Sequence, residues 1–293
     1  MFFIFSNRLG CAGSLLLSLA ATAVLLLAIG REIVAGRNWR NLPMVGALSL
    51  LLAANLLFHL EALDIASTAD IGRRLGVAML LMMISLIGGR IIPSFTRNWL
   101  AKKDAVELPA AFGIADRVTL AGTALALASW VVGVPGPFSG PLLIAAGIAA
   151  AIRLARWRGL ATVKEPLLLV LHLGHGWLAI GLGLLGASEL TDLVPASAAL
   201  HALTAGAIGN MILAVMTRAT LGHTGHALTA GAGTIAVYAF VTLAALARIA
   251  VWWLPASNDL LLKIAGLAWI TAFLLFLAIY GPMLLRPRRR KTG

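Results

Sequence analysis

Six histidines are present in 293 residues, and four of them fall inside or at the edge of long apolar stretches: His59, His172, His175 and His201. An ionisable side chain at membrane depth is costly and marks a functional site by default. Imidazoles on several helices suggest a shared ligand, a metal ion or a haem, because a haem takes one or two axial imidazoles from facing helices. Copper accepts imidazole and thioether, and Met79, Met82, Met83, Met211 and Met216 lie in two of the spans. The plain alternative for the methionines is gap-filling in apolar packing. For a single histidine it is a neighbouring backbone or hydroxyl partner.

His172 and His175 are three residues apart and share one helical face. Arg248, inside an apolar run, is read as a cation for a buried anion such as a haem propionate, or as an arginine snorkelling to the headgroups. Glu61, two residues after His59, is a candidate to orient that imidazole. His223 and His226 lie in Arg218-Ala-Thr-Leu-Gly-His-Thr-Gly-His, a Gly-containing turn that is either a loop metal site or solvated. The candidate cofactor-binding residues are thus His59, His172, His175, His201 and Arg248. The candidate metal ligands are His175, His201, His223 and His226. The single Cys11 excludes an intramolecular disulfide and a cysteine cage.

The elements that position these groups are membrane helices. The chain is 60% hydrophobic and 12% charged, far from a soluble domain's balance. A spanning helix needs about 20 apolar residues. That scale predicts an all-α bundle in one integral membrane domain, with spans near 12–30, 43–61, 73–93, 115–134, 138–155, 166–186, 196–217, 228–254 and 258–284. Pro135, Pro137 and Pro141 make the fourth and fifth a hairpin. Leu15–Ile29 reads as a retained helix, since no small-residue cleavage site follows. Pro93 is expected to end or kink the third span after Gly88–Gly89.

The net charge of +12 sits in short loops, which argues against a nucleic-acid partner and for the positive-inside rule. Arg31, Arg37 and Arg40, then Arg97, Lys102 and Lys103, then Arg153, Arg156, Arg158 and Lys164, then Arg218, and finally Arg286, Arg288, Arg289, Arg290 and Lys291 fall on one side. Glu61, Asp64, Asp70, Glu189, Asp192 and Asp259 fall on the other, with Arg73 and Arg74 as exceptions. The expected orientation has the N-terminus outside and the C-terminus cytoplasmic. Ala202, Ala205, Gly206 and Gly209 give the seventh span a small-residue face, suited to another helix or to a flat ring. No phosphate-binding loop, nucleophile elbow or cysteine pair appears.

Three segments together resemble the NnrS family. They are Gly88-Gly89-Arg90-Ile91-Ile92-Pro93-Ser94-Phe95-Thr96-Arg97-Asn98, His172-Leu173-Gly174-His175-Gly176-Trp177, and the run from His201 to Gly209 continuing through Met216-Thr217-Arg218 to Gly225. The resemblance covers nearly the whole chain. It implies a bacterial inner-membrane protein with haem and copper, tied to denitrification and to defence against nitric oxide. It makes His201 and His175 the first metal-site candidates. It also implies a longer protein of about twelve spans with further histidines in its N-terminal helices, so that this chain corresponds to the last nine. The resulting expectation is a haem-binding, copper-binding membrane protein of the nitric oxide response, with nitric oxide as a ligand of the iron. The alternatives are a membrane haem-quinol oxidoreductase and a cofactor-free transporter.

Overall fold

The computed structural model describes residues 2–287, apart from the side chains of residues 2–12, 14, 16 and 40. Arg288, Arg289, Arg290 and Lys291 of the basic C-terminus, and the side chain of Arg40, lie outside this description. Among the described residues there are helices and no strands, and nine helices are long and apolar enough to cross a membrane. This is a polytopic, all-helical membrane protein. An α-helix satisfies its backbone hydrogen bonds internally, which is what permits such apolar runs to sit in lipid.

The chain divides into two compact units, Met1–Met83 with Leu127–Gly133, and Ile84–Ala126 with Val134–Gly293. In the first, α1 (Phe2–Ala35), α2 (Leu42–Ala62) and α3 (Ala69–Met83) pack in sequence. The α2–α3 contact is close because Gly72 has no side chain: a Cβ there would lie 2.7 Å from the Ala54 carbonyl oxygen. Arg73 and Arg74, the exceptions to the charge pattern, both pair with Asp70, and Arg74 also donates to the Trp130 carbonyl at 3.0 Å. Local pairing thus removes them from the count of free cations.

The second unit begins with a π-helical turn, Ile84–Gly88, followed by α4 (Gly89–Ala101). The helix runs through Pro93 to Ala101, eight residues past the expected end. Proline removes one intrahelical donor and a π turn displaces others from the α ladder. Here the guanidinium of Arg153 donates to the Ser85 carbonyl at 2.9 Å and to the Gly89 carbonyl at 3.5 Å. Gly89 is the residue whose carbonyl would have met the missing Pro93 amide. The external donor lets the helix continue.

Helix α5 (Ile114–Val131) is followed by α6 (Gly136–Ala155) and α7 (Pro166–Ser188). The α6–α7 pair is nearly backbone to backbone, since a Cβ at Gly147 would meet the Ala179 carbonyl at 2.7 Å and one at Gly186 the Gly140 carbonyl at 2.6 Å. Next come α8 (Ala196–His201), a second π-helical stretch (Ala202–Gly209), and α9 (Asn210–His223), all within one span, Ala196–His223. The chain closes with α10 (Ala232–Ala250) and α11 (Asn258–Leu284). Asn210 ties this region together, donating to the Gly206 carbonyl at 2.8 Å and accepting from Thr242 at 2.9 Å.

Candidate functional site

The structure brings His201 and Arg248 together. His201 ends α8, immediately before the π-helical stretch. Its Nδ1 lies 2.5 Å from the Ser197 carbonyl, and Arg248 donates from Nε to His201 Nε2 at 3.0 Å. An arginine can only donate, so Nε2 carries the lone pair and Nδ1 the hydrogen. This is the tautomer of a metal-binding imidazole, with one nitrogen anchored to a backbone carbonyl and a lone pair on the other, which Arg248 engages in this structure. Both groups line a cavity of about 550 Å³, walled by Thr204, Ala205, Ala244, Gly266 and Trp269 among others. That volume lies within the roughly 300–1,000 Å³ of sites for small molecules and cofactors.

Arg248 is shallower than its sequence implied. The helix of the eighth span, α10, ends at Ala250 rather than near 254, so Arg248 sits in its last turn. The Val251–Trp253 turn and Pro255 cut the helix short there. The small-residue face is also shared out differently. Gly206 receives the ring of Trp177 and Gly209 that of Trp269, with Cβ positions 2.7 and 2.9 Å from those rings. Only Ala205 of that face lines the cavity.

His172 and His175 do share a face of α7, but their surroundings differ. His172 Nδ1 donates to the Leu168 carbonyl at 3.0 Å, and its Nε2 lies 3.4 Å from Thr96 Oγ1. It borders an apolar groove of about 910 Å³ whose rim includes Arg158 and Trp177. His175 is wholly buried, and neither ring nitrogen has a hydrogen-bond partner. The ring of Trp157 lies 4.6 Å from its ring, centroid to centroid. A Cβ at Gly88 would be 3.8 Å from His175 Nδ1 and 3.9 Å from the methyl of Met211.

His59 belongs to the first unit, where its Nε2 lies 2.7 Å from Ser18 Oγ. Glu61 does not orient it. Its carboxylate instead accepts from the Ala69 amide at 2.7 Å, capping the start of α3, where an exposed amide and the helix dipole favour a negative charge. His223 is the exposed last residue of α9, and His226 follows Gly225 with its Nδ1 2.7 Å from Thr224 Oγ1. Among the described residues, no three of His, Cys, Asp and Glu gather closely enough to hold a metal ion.

One buried constellation escaped the sequence reading. Arg153, expected among the loop cations, is 1% exposed and donates to Asp116 at 2.8 Å. Asp116 lies in the first turn of α5, also accepts the Gly113 amide at 2.9 Å, and has Arg156 at 3.5 Å. The Arg153 guanidinium lies 5.2 Å from the Trp157 ring. The available signal was an acid and a base, each within the end turn of its own apolar span.

The family described as NnrS protein matches residues 1–288. No curated protein and no solved structure matches the chain. With the matched stretch taking in the π-turn segment, the α7 histidines and the span that carries His201, the chain belongs to the NnrS family.

Proposed function

We propose that this protein acts in the membrane response to nitric oxide by holding a haem in the His201–Arg248 cavity, in association with denitrification. Family membership supports the nitric oxide role. The haem reading is carried by one observation: an imidazole anchored through Nδ1 to Ser197, with its Nε2 lone pair turned toward an arginine at the edge of a cofactor-sized cavity. The residues fit the group. His201 would hold the iron through Nε2, Arg248 would pair with a propionate, and Trp269 with the small residues of the wall would lie against the ring. When bound, haem would supply an iron able to bind a diatomic ligand such as nitric oxide. The protein's part is to fix the imidazole tautomer, balance the propionate charge and keep water from the ring.

Copper does not fit comparably. No group of three His, Cys, Asp or Glu gathers among the described residues, His223 is exposed, and His226 is bonded to Thr224. No step is assigned to it.

The basic loops support an inner-membrane location with the N-terminus outside and the C-terminus in the cytoplasm. A quinol-using oxidoreductase is the second reading, and the apolar groove of about 910 Å³ beside His172 is the observation in its favour. Reduction of the bound haem by a short-chain quinol, with loss of that reduction in Gly176→Leu, would support it.

The test of the main reading is an absorbance spectrum of protein purified from haem-replete membranes, reduced and then exposed to nitric oxide. A Soret band that shifts with nitric oxide is expected. A folded protein with no Soret band would overturn the reading.

A further inference from the structure

The groove of about 910 Å³ lies between the end of α6, one face of α7 and α10, all in the second unit. Its mouth is formed by Arg158, Gly159, Leu160 and Ala161, in the loop that joins α6 to α7 on the basic side of the protein. Along α7 its lining runs from Leu169 to Ile180. At about 1.5 Å per residue that stretch rises about 16 Å, roughly half the ~30 Å hydrocarbon thickness of a bilayer. The groove therefore has the depth of one leaflet. Leu160, Leu173, Ile180 and Leu246 of its lining are exposed, so it opens sideways to lipid.

Charge is confined to the mouth. Deeper in, His172 donates from Nδ1 to the Leu168 carbonyl and has Thr96 Oγ1 at 3.4 Å from Nε2, and Thr242 donates to Asn210 at 2.9 Å. Those polar groups are already engaged, and the wall around them is apolar or aromatic. At the mouth, Arg158 pairs with Glu107, but both side chains are exposed, and an exposed pair is weak. A guanidinium has five N–H donors in a planar fork that matches a phosphate, so Arg158 keeps donors for an anion. Its backbone is left-handed, with φ at +58°, which glycine adopts freely and arginine does not. Lys164, also exposed, follows in the same loop.

Shape and charge together select the occupant. A cation above a leaflet-deep apolar slot matches a molecule with an anionic head and a hydrocarbon tail. A quinol has an uncharged head and leaves the Arg158 charge unmatched, and a soluble anion leaves the slot unfilled. Basic pockets between transmembrane helices at the membrane surface suit anionic lipid headgroups. We propose that the groove binds an anionic phospholipid of the leaflet on the basic side, with its phosphate on Arg158 and one acyl chain along α7 from Leu169 to Ile180. The proposal goes beyond the haem reading and does not depend on it. It competes with the quinol reading for the same groove.

The test is native mass spectrometry of the full-length protein, delipidated in mild detergent and titrated with phosphatidylglycerol or with phosphatidylcholine of the same acyl chains. One phosphatidylglycerol is expected to bind at least about fivefold more tightly than phosphatidylcholine, the worth of one interfacial cation. Arg158→Gln is expected to bring phosphatidylglycerol down to the phosphatidylcholine level. Gly176→Leu is expected to lose both lipids by filling the slot. Outside its own helix only Leu154 Cδ2, at 3.6 Å, lies near the Gly176 Cβ position, so the backbone accepts that change. Arg31→Gln, at an exposed cation of α1, is the control and is expected to bind as the wild type does. Equal affinity for the two lipids in the wild type would overturn the proposal. So would unaltered phosphatidylglycerol binding in both groove variants at wild-type helicity, or a loss in Arg31→Gln as large as in Arg158→Gln, which would show general surface attraction. Ubiquinone bound in preference to phosphatidylglycerol would overturn it and give the groove to the quinol.

Discussion

Replacing Arg153 with methionine removes the cation but keeps most of the apolar stem, and the structure sets the expected cost. Arg153 is 1% exposed, and its partner Asp116 is 4% exposed at 2.8 Å. Breaking a buried pair on one side leaves an uncompensated charge, which costs about 3–5 kcal/mol. Arg156, 3.5 Å from the other carboxylate oxygen, remains and holds the loss toward the lower part of that range. The Ser85 and Gly89 carbonyls also lose their outside donor, at about 1–3 kcal/mol for each that stays buried and unpaired. The helix through Pro93 should therefore loosen at the π turn. In Asp116→Asn/Arg153→Met the stranded charge is gone, so the double variant should be more stable than Arg153→Met alone. The assay is reversible unfolding in mixed micelles followed by tryptophan fluorescence, with the two single variants and the double variant forming a cycle. A loss below about 1 kcal/mol for Arg153→Met, the scale of an exposed pair, would refute the reasoning. So would a double variant less stable than the single one.

Gly89→Ala should destabilise by about 1–3 kcal/mol in the same assay, because the new methyl would fall on the Arg153 guanidinium. Gly222→Ala is its control. No atom outside its own helix lies within 4 Å of that Cβ, and the change should stabilise by up to about 1 kcal/mol through helix propensity. Asn210→Leu should cost about 0.6–2 kcal/mol, the range of an interhelical polar contact in a membrane, since it loses both the Gly206 carbonyl and the Thr242 hydroxyl. Arg248→Ala should lower haem occupancy in purified protein while leaving the ligation spectrum of the remaining haem unchanged. A changed spectrum at full occupancy would contradict the propionate role.

The membrane class and the helical fold were legible because twenty-residue apolar runs dominate composition, and the family was legible in three segments. Helix ends were less so. The third span passes Pro93 because a residue 60 positions away supplies the missing donor, and no local pattern carries that information. Helix α10 closes early at a turn before Pro255, where a run still apolar through Trp252 and Trp253 looked helical. Arg153 was read as a loop cation because its position near a helix end fits both a solvated loop and a buried pair, and only the location of Asp116 on a different helix decides between them. The His201–Arg248 pairing had a hint in depth, as both lie near one end of their spans. The orphaned nitrogens of His175 had none, since an unmet hydrogen bond is a property of neighbours. Neither π-helical segment has a sequence signature beyond its glycines and small residues.

The central claim is that His201 is the ligand that holds the haem. Resonance Raman spectroscopy of the ferrous protein tests it most directly, by the iron–histidine stretching band. The account predicts that this band is present in the wild-type protein, survives His172→Gln, is lost in His201→Gly and returns when free imidazole is added to that variant. An unchanged band in folded His201→Gly, without added imidazole, would contradict it.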